Sequence, residues 1–160
     1  VQEEILSLQN DLVTQVERAI ADWAKEGYEI VKADVLRNLS GTVLHCRTDG
    51  TLYRSIELCS KVEKDGFSIS TDVKHGIAWE KGFSRKAYAI NPVNRKALRW
   101  FEGGKPIFAK YVFIPAQTFA AKPFIRPAFE KNLQRLEDLL NNKLPAVLRD
   151  KVKFTLKFAA

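Results

Sequence analysis

The chain has 160 residues, 46% of them hydrophobic and 28% charged, with a net charge of +7. That length supports one domain with an ordinary core, and that balance fits a soluble globular protein rather than a disordered one. No stretch approaches the roughly 20 apolar residues of a membrane span, and no basic-then-apolar start reads as a signal peptide. The chain lacks any Met, which predicts a trimmed N-terminus.

The charge is unevenly spread. Residues 1–80 carry 9 Lys/Arg against 14 Asp/Glu, residues 81–115 carry 8 against 1, and residues 116–160 carry 9 against 4. An acidic first half is therefore joined to a basic second half. Nucleic acid on the basic half is one partner this suggests. A second copy, acidic face against basic face, is another. Solvated surface charge with no partner is the third reading.

Residues 3–39 read as one long helix. Ile5, Leu8, Leu12, Val16, Ala19, Trp23, Gly27 and Ile30 follow each other at steps of three and four, the spacing of a single helical stripe. Val13, Ile20, Ala24 and Val31 widen it into a core-facing band. Gly27 is the candidate for a bend or break, and Ser40-Gly41 supplies a C-cap glycine. Unbroken, this helix is about 55 Å long, against a radius of gyration of about 15 Å for a compact domain of this size. Its stripe would then overhang its own domain and need a partner, most cheaply another copy. Broken at Gly27, it would give two shorter helices that pack internally.

Residues 42–50 read as an irregular connection with a turn at Thr48-Asp49-Gly50-Thr51, and Leu52–Ile56 as a helical turn or strand start. Ile56, Leu58, Ser60 and Val62 alternate with polar residues. After the turn Asp65-Gly66, Phe67, Ile69, Thr71 and Val73 alternate again, which predicts a hairpin of 56–62 with 67–73. His75 to Gly82 is bounded by glycines and reads as one helical turn, with Trp79 anchoring it. Phe83, Tyr88 and Ile90 lie among Arg85, Lys86 and Arg95, an interleaving that resembles a nucleic-acid surface without any reader signature. Tyr88–Ile90 reads as a strand. A second hairpin pairs 97–101 with 107–114 across Gly103-Gly104, and Pro115 stops it. Residues 116–122 form a loop. Pro123 and Pro127 restrict Lys122 and Arg126 to extended geometry, and Pro127 opens a helix over 127–142. A further helical turn is expected over 146–152, and 153–158 alternates as a strand would, reading equally as a tail or as an inter-subunit strand.

These elements predict an α+β fold in a single domain, 1–160. An antiparallel β-sheet built from two hairpins (sheet region 42–115) is packed by the long N-terminal helix and the C-terminal helix, followed by a tail.

Catalytic patterns are absent: no GxSxG, P-loop, GxGxxG or HExxH, and no serine or aspartate in a triad-like context with His45 or His75. Gly103-Gly104-Lys105 sits between two strands, so it reads as a turn and not a phosphate cradle. Cys46 and Cys59 read as reduced, partly buried thiols, with a lone disulfide or a metal pair as the alternatives. His45 beside Cys46 invites a zinc reading, but there is no CxxC to complete four ligands. The chain is expected to be no enzyme and to hold no metal or cofactor.

The order of elements carries a family resemblance. Gly50-Thr51-Leu52-Tyr53-Arg54-Ser55-Ile56 matches a Gly-x-Leu-x-x-Ser-Ile element. His75–Gly82 keeps Glu80 and Gly82 of a Tyr-Ala-x-x-x-Glu-x-Gly element, without its Tyr-Ala pair. Ala121-Lys122-Pro123-Phe124-Ile125-Arg126-Pro127-Ala128 matches an Ala-x-Pro-Phe-x-x-Pro-Ala element. Over about residues 40–135, and more loosely in the N-terminal helix, the chain resembles the neck, head–tail joining or tail-completion family of long-tailed bacteriophages, which includes the minor tail protein Z of phage lambda. The resemblance implies a non-enzymatic virion subunit assembled in the host bacterial cytoplasm. It implies a homo-oligomeric ring of six or twelve copies, between the head-closure connector and the tail tube or tail terminator, surrounding the DNA channel. On that picture Arg85, Lys86, Arg95, Lys96, Arg99, Lys105 and Lys110 are candidates for an interface or for lining the channel, where DNA passes without sequence recognition. Phe124, Arg126 and Pro127 are the candidate hinge, and Trp79 and Trp100 the candidate packing anchors. A basic nucleic-acid-binding module is the alternative function.

Overall fold

A computed structural model describes residues 2–48 and 50–149. The fold is α+β, with a long N-terminal helix, a C-terminal helix and small antiparallel strand pairs. No helix among the described residues is long and apolar enough to cross a membrane.

Helix α1 runs unbroken over Gln2–Arg37, with Glu3 and Glu4 in its first turn and Arg37 in its last, each favourable to the helix dipole. Gly27 does not break it. A Cβ at Gly27 would lie 2.7 Å from the ring of Phe67 and 3.0 Å from Leu136 Cδ2. The glycine lets two other elements approach the helix. The expected C-cap at Gly41 is not formed: its φ is 174°, which is extended, and α1 leaves through a single π-helical turn, Asn38–Thr42. In that turn Asn38 O accepts the amides of Val43 and Leu44.

The first predicted hairpin is corrected. Thr51–Cys59 is a helix, α2, and only Lys61–Glu63 (β1) and Gly66–Ser68 (β2) pair. Leu52, Ser55, Ile56 and Cys59 are spaced at three, four and seven, a helical face. Leu52 and Ile56 are buried by it, whereas Leu58, which the alternation would have placed inward, is 84% exposed. Lys74–Lys81 forms α3, two turns instead of one.

The second predicted hairpin is longer than expected. Phe83–Arg85 (β3), Tyr88–Ile90 (β4) and Leu98–Glu102 (β5) run out; Lys105–Ala109 (β6), Val112–Ile114 (β7) and Gln117–Phe119 (β8) run back. β5 pairs with β6, β4 with β7 and β3 with β8, all antiparallel, so 83–119 is one two-stranded ribbon. The expected return strand 107–114 is split between β6 and β7, and the expected loop 116–122 contains β8. The two legs are unequal in one place. Residues 91–97 separate β4 from β5, while only Lys110 and Tyr111 separate β6 from β7. The ladder breaks there and again where Lys86-Ala87 face Pro115-Ala116, so the strands form three separate pairs instead of one sheet.

Helix α4 spans Arg126–Lys143, followed by a 3₁₀ turn, Ala146–Leu148. Arg126 is helical despite preceding Pro127, a correction to its expected extended geometry. Residues 153–158, expected as a tail or a strand, lie outside the described residues. Val31, Val35, Leu39, Leu44, Leu52, Ile56, Phe124, Ala128 and Leu136 form the main core where α1, α2 and α4 meet. Phe67 stacks on Phe129 at 5.9 Å and packs on Trp23 at 5.6 Å, which closes the β1–β2 side. A smaller cluster of Ala19, Leu140 and Leu144 ties α1 to the end of α4.

Candidate functional site

The three elements of the resemblance, far apart in sequence, meet at one junction. Ser55 of α2 donates its hydroxyl to Asp72 Oδ1 at 2.6 Å and accepts the Asp72 amide at 3.2 Å; its oxygen also lies 2.7 Å from Thr71 Oγ1. A Cβ on Gly76 of α3 would lie 2.5 Å from Leu52 Cδ1, so α3 sits directly on the buried face of α2.

From α3, Glu80 reaches the start of α4. Its carboxylate accepts the amide of Phe124 at 2.8 Å, of Ile125 at 3.0 Å and of Arg126 at 3.0 Å. The Ile125 and Arg126 amides are among the donors that the start of a helix leaves without intrahelical acceptors, and the Phe124 amide lies just ahead of them. Ile125, in the N-cap position, has no capping side chain of its own, so the cap comes from another helix. The same face is fastened by the Lys122 amide, which donates to Trp79 O at 2.8 Å. Gly82 has φ +74°, and a Cβ there would meet Ala121 N at 2.9 Å and Phe119 O at 3.0 Å. Both atoms are backbone, so neither can swing away.

Phe124 is fully buried, and its carbonyl accepts a hydrogen bond from Asn38 Nδ2 at 2.9 Å. Pro127 lies in the first turn of α4, where its missing N–H costs nothing. Trp79 is half-buried against the core, edge-on to Phe83 at 6.2 Å and under the Lys122 ammonium at 5.5 Å. Trp100 does not share that environment. It lies on β5, 38% exposed, and is not among the residues of the two buried clusters.

Sequence reasoning passed over Glu80 as a capping group, although the retained Glu80-x-Gly82 spacing was the available signal. It also passed over Asp34, buried between α1 and α4. Asn132 Nδ2 donates to Asp34 Oδ2 at 2.7 Å, Lys131 Nζ lies 3.2 Å from the same oxygen, and Arg37 pairs with Oδ1. Burial raises the Asp34 carboxyl, but the bonds from Asn132 and Lys131 and the charges of Lys131 and Arg37 outweigh it, leaving it below the usual 3.8.

The seven basic candidates all fall on the ribbon. The Arg85 guanidinium bonds Gln117 Oε1 at 3.3 Å and lies over Tyr88 and Phe119. Lys86, Arg95, Lys96, Lys105 and Lys110 are exposed. Arg99 lies over Phe101 at 4.9 Å and Phe108 at 5.8 Å. Phe101, Phe108, Tyr111 and Phe113 are each 60% exposed or more, because among the described residues no further layer covers the ribbon there.

Cys46 and Cys59 are free thiols, and burial pushes Cys46 up. Among the described residues no three His, Cys, Asp or Glu side chains are grouped as metal ligands would be. Comparison with protein-family models, with curated proteins and with solved structures finds no match.

Proposed function

We propose that the chain is a structural, non-enzymatic subunit of a tailed-bacteriophage virion, one copy of a neck or tail-completion ring between head connector and tail around the DNA channel. The observation that carries this reading is the junction at Glu80. The three spaced elements that resemble the phage family are the ones that hold α2, α3 and α4 together. Elements brought into one mechanical unit give the resemblance a physical basis that scattered matches would lack.

The distribution of surface supports it further. The body of the chain buries its core, but the N-terminal part of α1 and the whole ribbon carry large apolar side chains in the open. Contiguous exposed apolar surface of this kind marks interaction sites. The acidic and basic halves suit repeated contacts between copies.

Imaging of particles made without this protein tests the proposal. Heads with unattached or malformed tails are expected, restored by supplying the chain. Normal tailed particles would sink it. A stable monomer that binds DNA with nanomolar affinity at moderate salt would favour a nucleic-acid-binding module instead.

A further inference from the structure

Two surfaces carry apolar side chains that nothing in the described fold covers, and their charges are opposite. The first is the start of α1. Residues 2–16 hold Glu3, Glu4 and Asp11 and no Lys or Arg. Ile5, Leu6, Leu8, Leu12 and Val13 are between 37% and 69% exposed. At about 100° per residue, Ile5, Leu8 and Leu12 share one face with Asp11 at its margin, along an arm about 22 Å long. The second surface is the ribbon, whose residues 83–119 hold seven Lys/Arg and one Glu. Register sets Arg99 beside Phe108 and Phe101 beside Pro106. One face of the ribbon tip is therefore two open phenyl rings with a guanidinium over both.

Neither surface is stable in water for its own sake. A two-stranded ribbon needs another layer, and helix on strands is a standard way to supply one. Within one copy, α1 packs on α4 and on β1–β2, while the ribbon strands pack mainly on one another. We infer that the N-terminal arm of α1 of one copy lies across the Arg99–Phe101–Phe108 face of the ribbon of the next copy, with Asp11 facing Arg99. The inference rests on the ring reading and names the contact that would build it. Each copy offers one arm and one ribbon, so the contact is head-to-tail and closes into a ring when the rotation between copies allows.

The test uses the full chain with Cys46 and Cys59 replaced by Ser. A Leu8→Cys chain is mixed with a tagged Phe108→Cys chain and oxidised, beside a control in which Gln134→Cys on α4 replaces Phe108→Cys. A mixed disulfide dimer is expected, about tenfold above the control. Arg99→Glu is expected to weaken association about tenfold, and Asp11→Arg in the same chain to restore it. An oligomer of defined mass with neither cross-link nor rescue overturns this docking and leaves the ring reading standing. A monomer at every concentration, with no cross-link, overturns it too; the particle imaging above then decides the ring reading separately. A cross-link formed inside one doubly substituted chain overturns it in favour of the arm's own ribbon. Protection of Leu8→Cys that disappears when residues 150–160 are removed, with mass unchanged, overturns it in favour of that segment. Loss of DNA binding in Arg99→Glu with unchanged association overturns it in favour of nucleic acid.

Discussion

Glu80 holds Phe124 at the entrance of a helix to which it does not belong. Its Oε2 accepts the Phe124 amide at 2.8 Å, and the same carboxylate takes the amides of Ile125 and Arg126. α3 therefore fixes where α4 starts, and the fully buried Phe124 ring fixes how deep it sits.

Glu80→Ala should destabilise the fold by about 2–4 kcal/mol, because it leaves these amides without their acceptor. Glu80→Gln keeps one acceptor oxygen and should lose about half as much. Urea denaturation checks this through the midpoint, with the m-value unchanged. Equal effects from both variants would point to lost packing instead of a lost cap.

Gly82→Ala should cost about 2–3 kcal/mol, since it combines a positive φ with a collision against backbone at Phe119 and Ala121. Gly103 has φ +55° but open space around it, so Gly103→Ala should cost only about 1 kcal/mol. Thermal unfolding of the two variants side by side separates conformational strain from collision.

Phe124→Ala should cost about 3–5 kcal/mol, the range for deleting a buried aromatic ring. Trp100→Ala, on the exposed ribbon, should change the stability of the isolated chain by about 0.5 kcal/mol or less. A larger loss at Trp100, measured by denaturation at low protein concentration, would mean that the ribbon tip packs on the body.

Acid should reveal the Asp34 cluster. The folded-state carboxyl lies below its ordinary value, so its ionised form is favoured by folding. That stability is fully present above the unfolded pKa, about 3.9, and is lost as pH falls through the lower folded value. Asp34→Asn should therefore be less stable than the parent at pH 7. The gap should begin to narrow as pH falls below the unfolded value, about 3.9, and close only below the lower folded value, where the folded parent is protonated too. Denaturation curves across pH 2–7 for both chains test the sign; a gap constant with pH would remove the carboxylate from the explanation.

The long helix was legible because its stripe repeats over about seven turns and no proline interrupts it. The helix at 51–59 was not, because Ile56, Leu58, Ser60 and Val62 satisfy the period of two while Leu52, Ser55, Ile56 and Cys59 satisfy the helical one. Only burial decides between them, and Leu58 outside with Ile56 inside decides for helix. The ribbon beyond its tip was hidden for a different reason. Pairing of Phe83 with Phe119 joins residues far apart in the chain, and short strands leave no long alternation to read. The Glu80 cap shows a third limit. Local capping patterns search the residues just before a helix, whereas this acceptor arrives from 46 residues upstream of Arg126. The spacing Glu80-x-Gly82 was visible; what it touched was not.

The unequal legs of the ribbon carry a mechanical consequence. Residues 91–97 on one leg face only Lys110 and Tyr111 on the other, so the ladder is interrupted there. Hydrogen bonds hold a tip, 98–109, on one side of this interruption and the two strand pairs of the base, 83–85 with 117–119 and 88–90 with 112–114, on the other. The interruption is an elbow between them, and the slack leg sets how far it bends. The angle of the tip can then be chosen by the surface it lands on without strain reaching the Glu80 junction. Changes in the length of 91–97 should be absorbed at that elbow and leave the body of the fold unaltered.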